Sequence, residues 1–321
     1  MAVHTPHFPD LLFAPAERLR RWEGALVALL AEHGFRELGP SLVTREVAED
    51  TVRFFDGEAL VALRWDFTRS LAALLAARFA EPPPRVSYAG AVFRRPGHGW
   101  EPVERFEVGC ERIQLASEDT NAADLELARL LLAVPRSIGL RGGILQLGHA
   151  ALVQRPLEAE RVPAPMAAEI VQALHRRAPH RLAAAVAGHP AAERLAAHAS
   201  TLLVEPDGAA TLEGLAKSPY ASLLEQERAE LGRAAAAIAG MLPPGLELRV
   251  DLADVAGAGF YTGPTLRLWA PGARQELAAG GRYDRLFPAL GRDWCAAGFC
   301  VRLTPLLELR ETHPALFEDA P

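Results

Sequence analysis

Apolar residues recur every three to four positions between Pro15 and Gly34, where Leu19, Trp22, Leu26, Leu29 and Leu30 share one face. This spacing predicts a helix, opened by Pro15 at a favoured first-turn position and closed by Gly34 as a left-handed cap. The pattern then shortens. Strands are predicted over 35–38 and 60–65, and Thr68 is placed to cap a helix whose buried stripe is Leu71, Leu74, Leu75 and Phe79. Pro82, Pro83 and Pro84 make a stiff lead into two long strands, 85–94 and 103–113, joined by a Gly/Pro-rich loop. A hairpin of this length implies antiparallel pairing. A helix over 121–134 and a strand over 143–147 follow.

Between 152 and 242 alanine dominates, strand signals vanish, and prolines punctuate short helices. Strands return at 246–252, 265–269 and 275–279, and a last strand, 295–303, runs into a short helix near Thr304 and Pro305. The expected class is α+β: an antiparallel sheet flanked by helices, interrupted by an all-helical insertion. The expected division is 1–151 and 243–321 for the two parts of the sheet domain, with 152–242 as the insertion.

Composition narrows the function. Half of the 321 residues are hydrophobic, enough for a sizeable core, yet no run approaches the roughly 18 to 20 apolar residues of a membrane span. The first twelve residues have no basic and apolar regions of a signal peptide, so a cytoplasmic protein is expected. The net charge of −6 gives no basic field to gather nucleic acid. Lys217 is the only lysine, which reads as the imprint of a GC-rich genome. Cys110, Cys295 and Cys300 lie in strand-like segments as buried thiols, and neither they nor the ten histidines show metal-site spacing. No metal and no cofactor are expected.

The strand 103–113 carries the sharpest constellation. A period of two puts Arg105, Glu107, Gly109 and Glu111 on one face and Phe106, Val108 and Cys110 on the other, which is core. Two glutamates flanking a glycine make an acidic floor for a small cation; a solvated sheet face is the alternative. Arg94, ending the partner strand, adds a positive fork, so an amine or imidazole bearing a carboxylate would suit both. Asp66 and Thr68 stand where strand passes to helix, as ligand contacts or as caps. Glycines flank Phe260 and Tyr261 in the loop 256–263, and Gly280-Gly281 before Arg282-Tyr283-Asp284 predicts a tight turn suited to close backbone packing.

The order of these pieces is more specific than any one of them. Pro9-Asp10, Gly39-Pro40, LRWDFT, YAGAVFRR, VGCE, FYTG and GGRYDRL follow one another as in histidyl-tRNA synthetases, and the chain resembles that class II branch from Pro9 to Leu309. The resemblance implies a dimer interface around Pro40. It implies that Asp66, with Thr68 beside it, meets the α-amino group of histidine, that Glu107 (a glutamine in the synthetases) and Glu111 line the pocket, that Tyr261 faces the imidazole, and that Arg94 meets the α-carboxylate. The residues that activate an amino acid depart from the pattern. The motif 3 arginine is Pro305, the glycine before it is Arg302, the motif 2 loop arginine aligns near Glu101, and the histidyl enzyme's catalytic arginine aligns with Ala256. Loss of one such donor costs about 10² to 10³ in rate, so adenylate formation is expected to be negligible.

An amino-acid cradle without activation residues, and with no anticodon-binding domain expected, resembles the regulatory subunits of short-form ATP phosphoribosyltransferase. That resemblance implies no catalysis by this chain, a hetero-octamer with a separate catalytic subunit, and inhibition by histidine. The alternative is a divergent synthetase-like enzyme forming an aminoacyl-adenylate for a carrier other than tRNA, favoured only by the surviving Arg94.

Overall fold

A computed structural model of the chain describes residues 10–45, 51–95, 102–204, 208–255, 257 and 259–318. Helix α1 (Ala14–Glu32) buries Leu19, Trp22, Leu26 and Leu30, and Gly34 beyond it takes φ 79° while its N–H donates to Ala31 O. Short strands follow: β1 (Arg36–Glu37), β2 (Val43–Thr44), β3 (Arg53–Asp56) and β4 (Ala59–Leu63). Helix α2 (Phe67–Arg78) leads to β5 (Arg85–Phe93) and β6 (Glu104–Leu115), the antiparallel hairpin that the sequence predicts. Then come α3 (Thr120–Ser137) and β7 (Gly143–His149). Helices α4 (Ala151–Ala159), α5 (Ala164–His175), α6 (Pro179–Val186), α7 (Ala192–Leu202), α8 (Gly208–Leu215) and α9 (Glu225–Ala239) fill the alanine-rich middle. The chain closes through β8 (Leu246–Val250), β9 (Pro264–Trp269), β10 (Ala278–Arg282), β11 (Trp294–Arg302) and α10 (Leu303–Thr312).

Eight strands form one sheet in the order β1-β5-β6-β11-β10-β9-β7-β8, antiparallel except for the edge pairs β1–β5 and β7–β8. The class is α+β, as expected. The six middle helices have a topological reason to exist: β7 and β8 lie side by side and parallel, which demands a long crossover. Their buried Leu152, Leu174, Leu195 and Leu231 join the same core as Leu145 and Leu266 of the sheet.

Period-two alternation gives the sheet two unlike faces. Val108, Cys110, Phe299, Val301, Leu266, Leu268 and Leu145 pack with Leu26, Leu130, Leu131 and Leu306 of α1, α3 and α10. Each buried aliphatic side chain contributes roughly 1.5–3 kcal/mol. The opposite face mixes glycine, alanine, cysteine and charged residues with Val86, Tyr88, Ile113 and Trp294, and α2 covers its apolar end.

Three local expectations are corrected. Asp66, not Thr68, caps α2: its backbone is extended and its carboxylate accepts from Arg69 N at 2.9 Å. The buried stripe of α2 is Phe67, Leu71, Ala72, Leu75 and Ala76, while Leu74 and Phe79 are 37% and 42% exposed. Two alanines thus share the contact with Phe67, Leu71 and Leu75. Gly280 and Gly281 lie inside β10 rather than in a turn. The close packing expected of them is present, for a Cβ on Gly280 would collide with Gly298 O and Phe299. Among the described residues no helix is long and apolar enough to cross a membrane, and no cluster of metal-ligating side chains is present.

Candidate functional site

Three strands bring the chemistry onto the non-core face. Glu111 lies opposite Val86 of β5 and Gly298 of β11, Gly109 opposite Tyr88 and Cys300, and Glu107 opposite Gly90 and Arg302. The start of α2 and the loop around Tyr261 complete a cavity of about 290 Å³. Asp66, Thr68, Arg94, Glu107, Glu111 and Tyr261 all line it. The solvated-face alternative is overturned, since Glu107 and Glu111 are 2% and 3% exposed.

Glu111 is the centre. Its Oε1 accepts from Thr68 Oγ1 at 2.7 Å and from Tyr88 OH at 3.4 Å, and its Oε2 accepts a short hydrogen bond from Tyr283 OH. Burial opposes the ionised form and the three hydroxyls favour it; burial wins, and the carboxyl titrates at about 7. Glycines make this geometry possible. A Cβ on Gly109 would strike the Tyr88 hydroxyl, and one on Gly298 would overlap the Glu111 carboxylate. Phe67 stacks on Tyr88 at 4.3 Å and holds that ring in place.

The other end is an ion-pair cluster. Arg94 grips Glu107 with two bonds, Nη1–Oε1 at 2.8 Å and Nη2–Oε2 at 3.3 Å, and its Nε donates to Trp65 O at 2.7 Å. Asp66 Oδ2 stands 3.8 Å from the same guanidinium, with a quarter of its side chain still open. Burial raises the Asp66 pKa despite the Arg69 N–H and Arg94, so an incoming ammonium would be welcome there. Tyr261 is pushed up by burial. Its ring lies where side chains on Gly257 and Gly281 would collide with it, and its carbonyl accepts from Gln154 of α4 at 2.9 Å.

A larger cavity of about 570 Å³ lies along the same sheet face, but its charges already answer one another: Arg177 pairs with Asp251 at 2.6 Å and Arg267 with Asp254 at 3.0 Å. The smaller cavity holds two carboxyls, Asp66 and Glu111, that burial raises above their ordinary values.

Sequence reasoning missed Tyr88 and Tyr283 as members of the Glu111 shell and gave Arg302 no role, although Arg302 lines the cavity. Gly109 was the one available signal for Tyr88, because a glycine between two glutamates leaves room for a ring. On the activation side, Thr304 Oγ1 accepts from Phe106 N at 3.0 Å and fixes the start of α10. Pro305 is buried in that first turn and offers no donor. Glu101 and Ala256 lie outside the described residues.

Residues 7–306 match the histidyl-tRNA synthetase family. An ATP phosphoribosyltransferase regulatory subunit of Anaeromyxobacter dehalogenans is 32% identical over 312 residues, which span 92% of this chain and 87% of that one. A histidine–tRNA ligase subunit from Alicyclobacillus acidocaldarius superposes with TM-score 0.79 at 26% identity, covering 98% of each chain. The fold is also that of a chain in an ATP phosphoribosyl transferase (HisG:HisZ) complex from Thermotoga maritima, with TM-score 0.66 at 16% identity over 91% of this chain and 98% of that one. The chain therefore belongs to the histidyl-tRNA synthetase family and, within it, to the ATP phosphoribosyltransferase regulatory subunits.

Proposed function

We propose that this chain senses histidine for a separate catalytic partner. It is the non-catalytic regulatory subunit of ATP phosphoribosyltransferase in histidine biosynthesis, and on that ground we read it as a cytoplasmic protein. The observation that carries the sensing role is the buried Glu111, ringed by three hydroxyls beside Asp66, in a cavity whose neighbouring helix has Pro305 in its first turn instead of a nucleotide-gripping arginine. The amine meets Asp66 and the imidazole meets Glu111 and Tyr261. A ligand held in an inert chain acts by binding one state of the assembly better than another, and a coupling of about 1–3 kcal/mol is ample for feedback.

The Thermotoga maritima structure is of a HisG:HisZ complex, and by that likeness the partner here is a short catalytic subunit. We read 152–242 as an inserted unit that supports the Tyr261 loop through Gln154. The test is to copurify the two chains and assay phosphoribosyl transfer with and without this one. Activity is expected only in the complex, and Glu111→Ala is expected to keep that activity while histidine inhibition weakens by about tenfold or more. Intact feedback in the Glu111→Ala complex, with no histidine binding to the isolated chain below millimolar, would exclude the cavity as the sensor.

The same proposal includes self-association near Pro40. On the small sheet β2-β4-β3, Phe55 and Leu60 are paired in register on one face and 71% and 43% exposed, while Val43 and Phe54 open on the other face. An apolar cluster of this kind marks an interface. Phe55→Asp combined with Leu60→Asp is expected to convert a dimer into monomers by sedimentation velocity; an unchanged sedimentation coefficient would place the interface elsewhere.

A further inference from the structure

Arg94 is poorly placed to serve a ligand carboxylate on its own. Both of its terminal nitrogens bond Glu107, its Nε bonds Trp65 O, and the buried Glu107 carboxylate already matches its charge. A second guanidinium stands on the same wall. The β6–β11 register sets Arg302 directly opposite Glu107, so both side chains leave the same face of the sheet, and Arg302 lines the cavity. Its Nη1 pairs with Glu276 Oε1 at 2.7 Å, and that same oxygen also receives Arg267 Nη1 at 3.2 Å. Among the described residues, the Nε of Arg302 is shielded from water and has no hydrogen-bond partner. The side chain as a whole is 24% exposed and lines the cavity, so a ligand can reach it although not through Nε.

We propose that Arg302 is a specificity residue that receives the carboxylate of the amino acid held between Asp66 and Glu111. The inference rests on the amino-acid reading of the cavity given above and adds to it the group that distinguishes an amino acid from its decarboxylated amine. Glu107 and Arg94 then act as one neutral unit joined at both terminal nitrogens, while Arg302 is tied to Glu276 through Nη1 and offers the carboxylate the part of its guanidinium that stays open.

Isothermal titration calorimetry on the full chain separates the outcomes, with histidine and histamine as ligands, since histamine keeps the amine and imidazole and has no carboxylate. Arg302→Met is expected to weaken histidine by about tenfold or more while leaving histamine within about twofold, and Arg302→Lys to recover part of the loss. Equal losses for both ligands, or unchanged histidine affinity, would overturn the proposal while leaving the cavity's reading intact. A wild-type chain with no histidine binding below millimolar would overturn that reading and this inference together. Arg302→Gln keeps a donor for Glu276, and it must show the same split if Arg302→Met does not fold.

Discussion

Gly298→Ala is expected to abolish histidine binding and to lower stability by about 3 kcal/mol, although it adds a single methyl group. An ideal Cβ at this position would overlap the Glu111 carboxylate, standing 2.6 Å from its Cδ and 2.5 Å from Cys110 O. Neither neighbour can step aside cheaply. Cys110 O belongs to β6, which pairs with β11 along nine residues, from Trp294–Leu115 to Arg302–Glu107. The carboxylate is tied to Thr68, Tyr88 and Tyr283, and Tyr88 is pinned under Phe67. Overpacking alone costs about 1–3 kcal/mol. Displacing the carboxylate strands buried hydroxyls and adds about 1–3 kcal/mol more. Urea unfolding should show a lower midpoint with an unchanged slope, and calorimetry with histidine should show no heat. Stability within about 1 kcal/mol of wild type would mean that Glu111 does not sit against β11.

Strand alternation is a local property, which is why 103–113 divided correctly into a core face and an acidic face before any fold was known. The order of short motifs along the chain did the rest, and all of the residues it singled out as ligand contacts surround one cavity. What stayed hidden depends on register and on cover. Nothing local says that Tyr88 lies over Gly109 or that Arg302 faces Glu107; those facts belong to the pairing of distant strands. Whether two glutamates on a strand are solvated or buried is decided by α2 and the Tyr261 loop, which arrive from elsewhere in the chain. Gly280-Gly281 suggested a turn because glycine pairs usually make one, yet here they answer the close approach of β11. Leu74 and Phe79 misled because hydrophobicity outranked position on the helix, whereas α2 meets Val86, Phe287 and Trp294 through Ala72, Leu75 and Ala76.

The second large effect concerns pH. Glu111→Gln is expected to gain stability relative to wild type as pH rises from 5 to 8, by about 2.5 kcal/mol across that range. The Glu111 carboxyl titrates at about 7 in the folded chain, because burial opposes its charge, against an ordinary value of 4.5 when unfolded. The folded state therefore holds this proton more tightly than the unfolded state between those two values. Its stabilising share is complete below 4.5, drains as pH rises toward 7, and is gone above it. Asp124, also raised to about 7 by burial, drains in the same window in both proteins and cancels from the comparison. Glutamine has no such titration and keeps an acceptor for the hydroxyls. It loses the charge that an imidazolium would meet, so histidine affinity at pH 8 should fall by about tenfold. Denaturant unfolding of both proteins at pH 5, 6, 7 and 8 reads the stability difference directly. A difference that stays constant with pH would show that Glu111 ionises at its ordinary value, and the cavity would then present a fixed negative charge instead of a group poised to exchange its proton with the ligand.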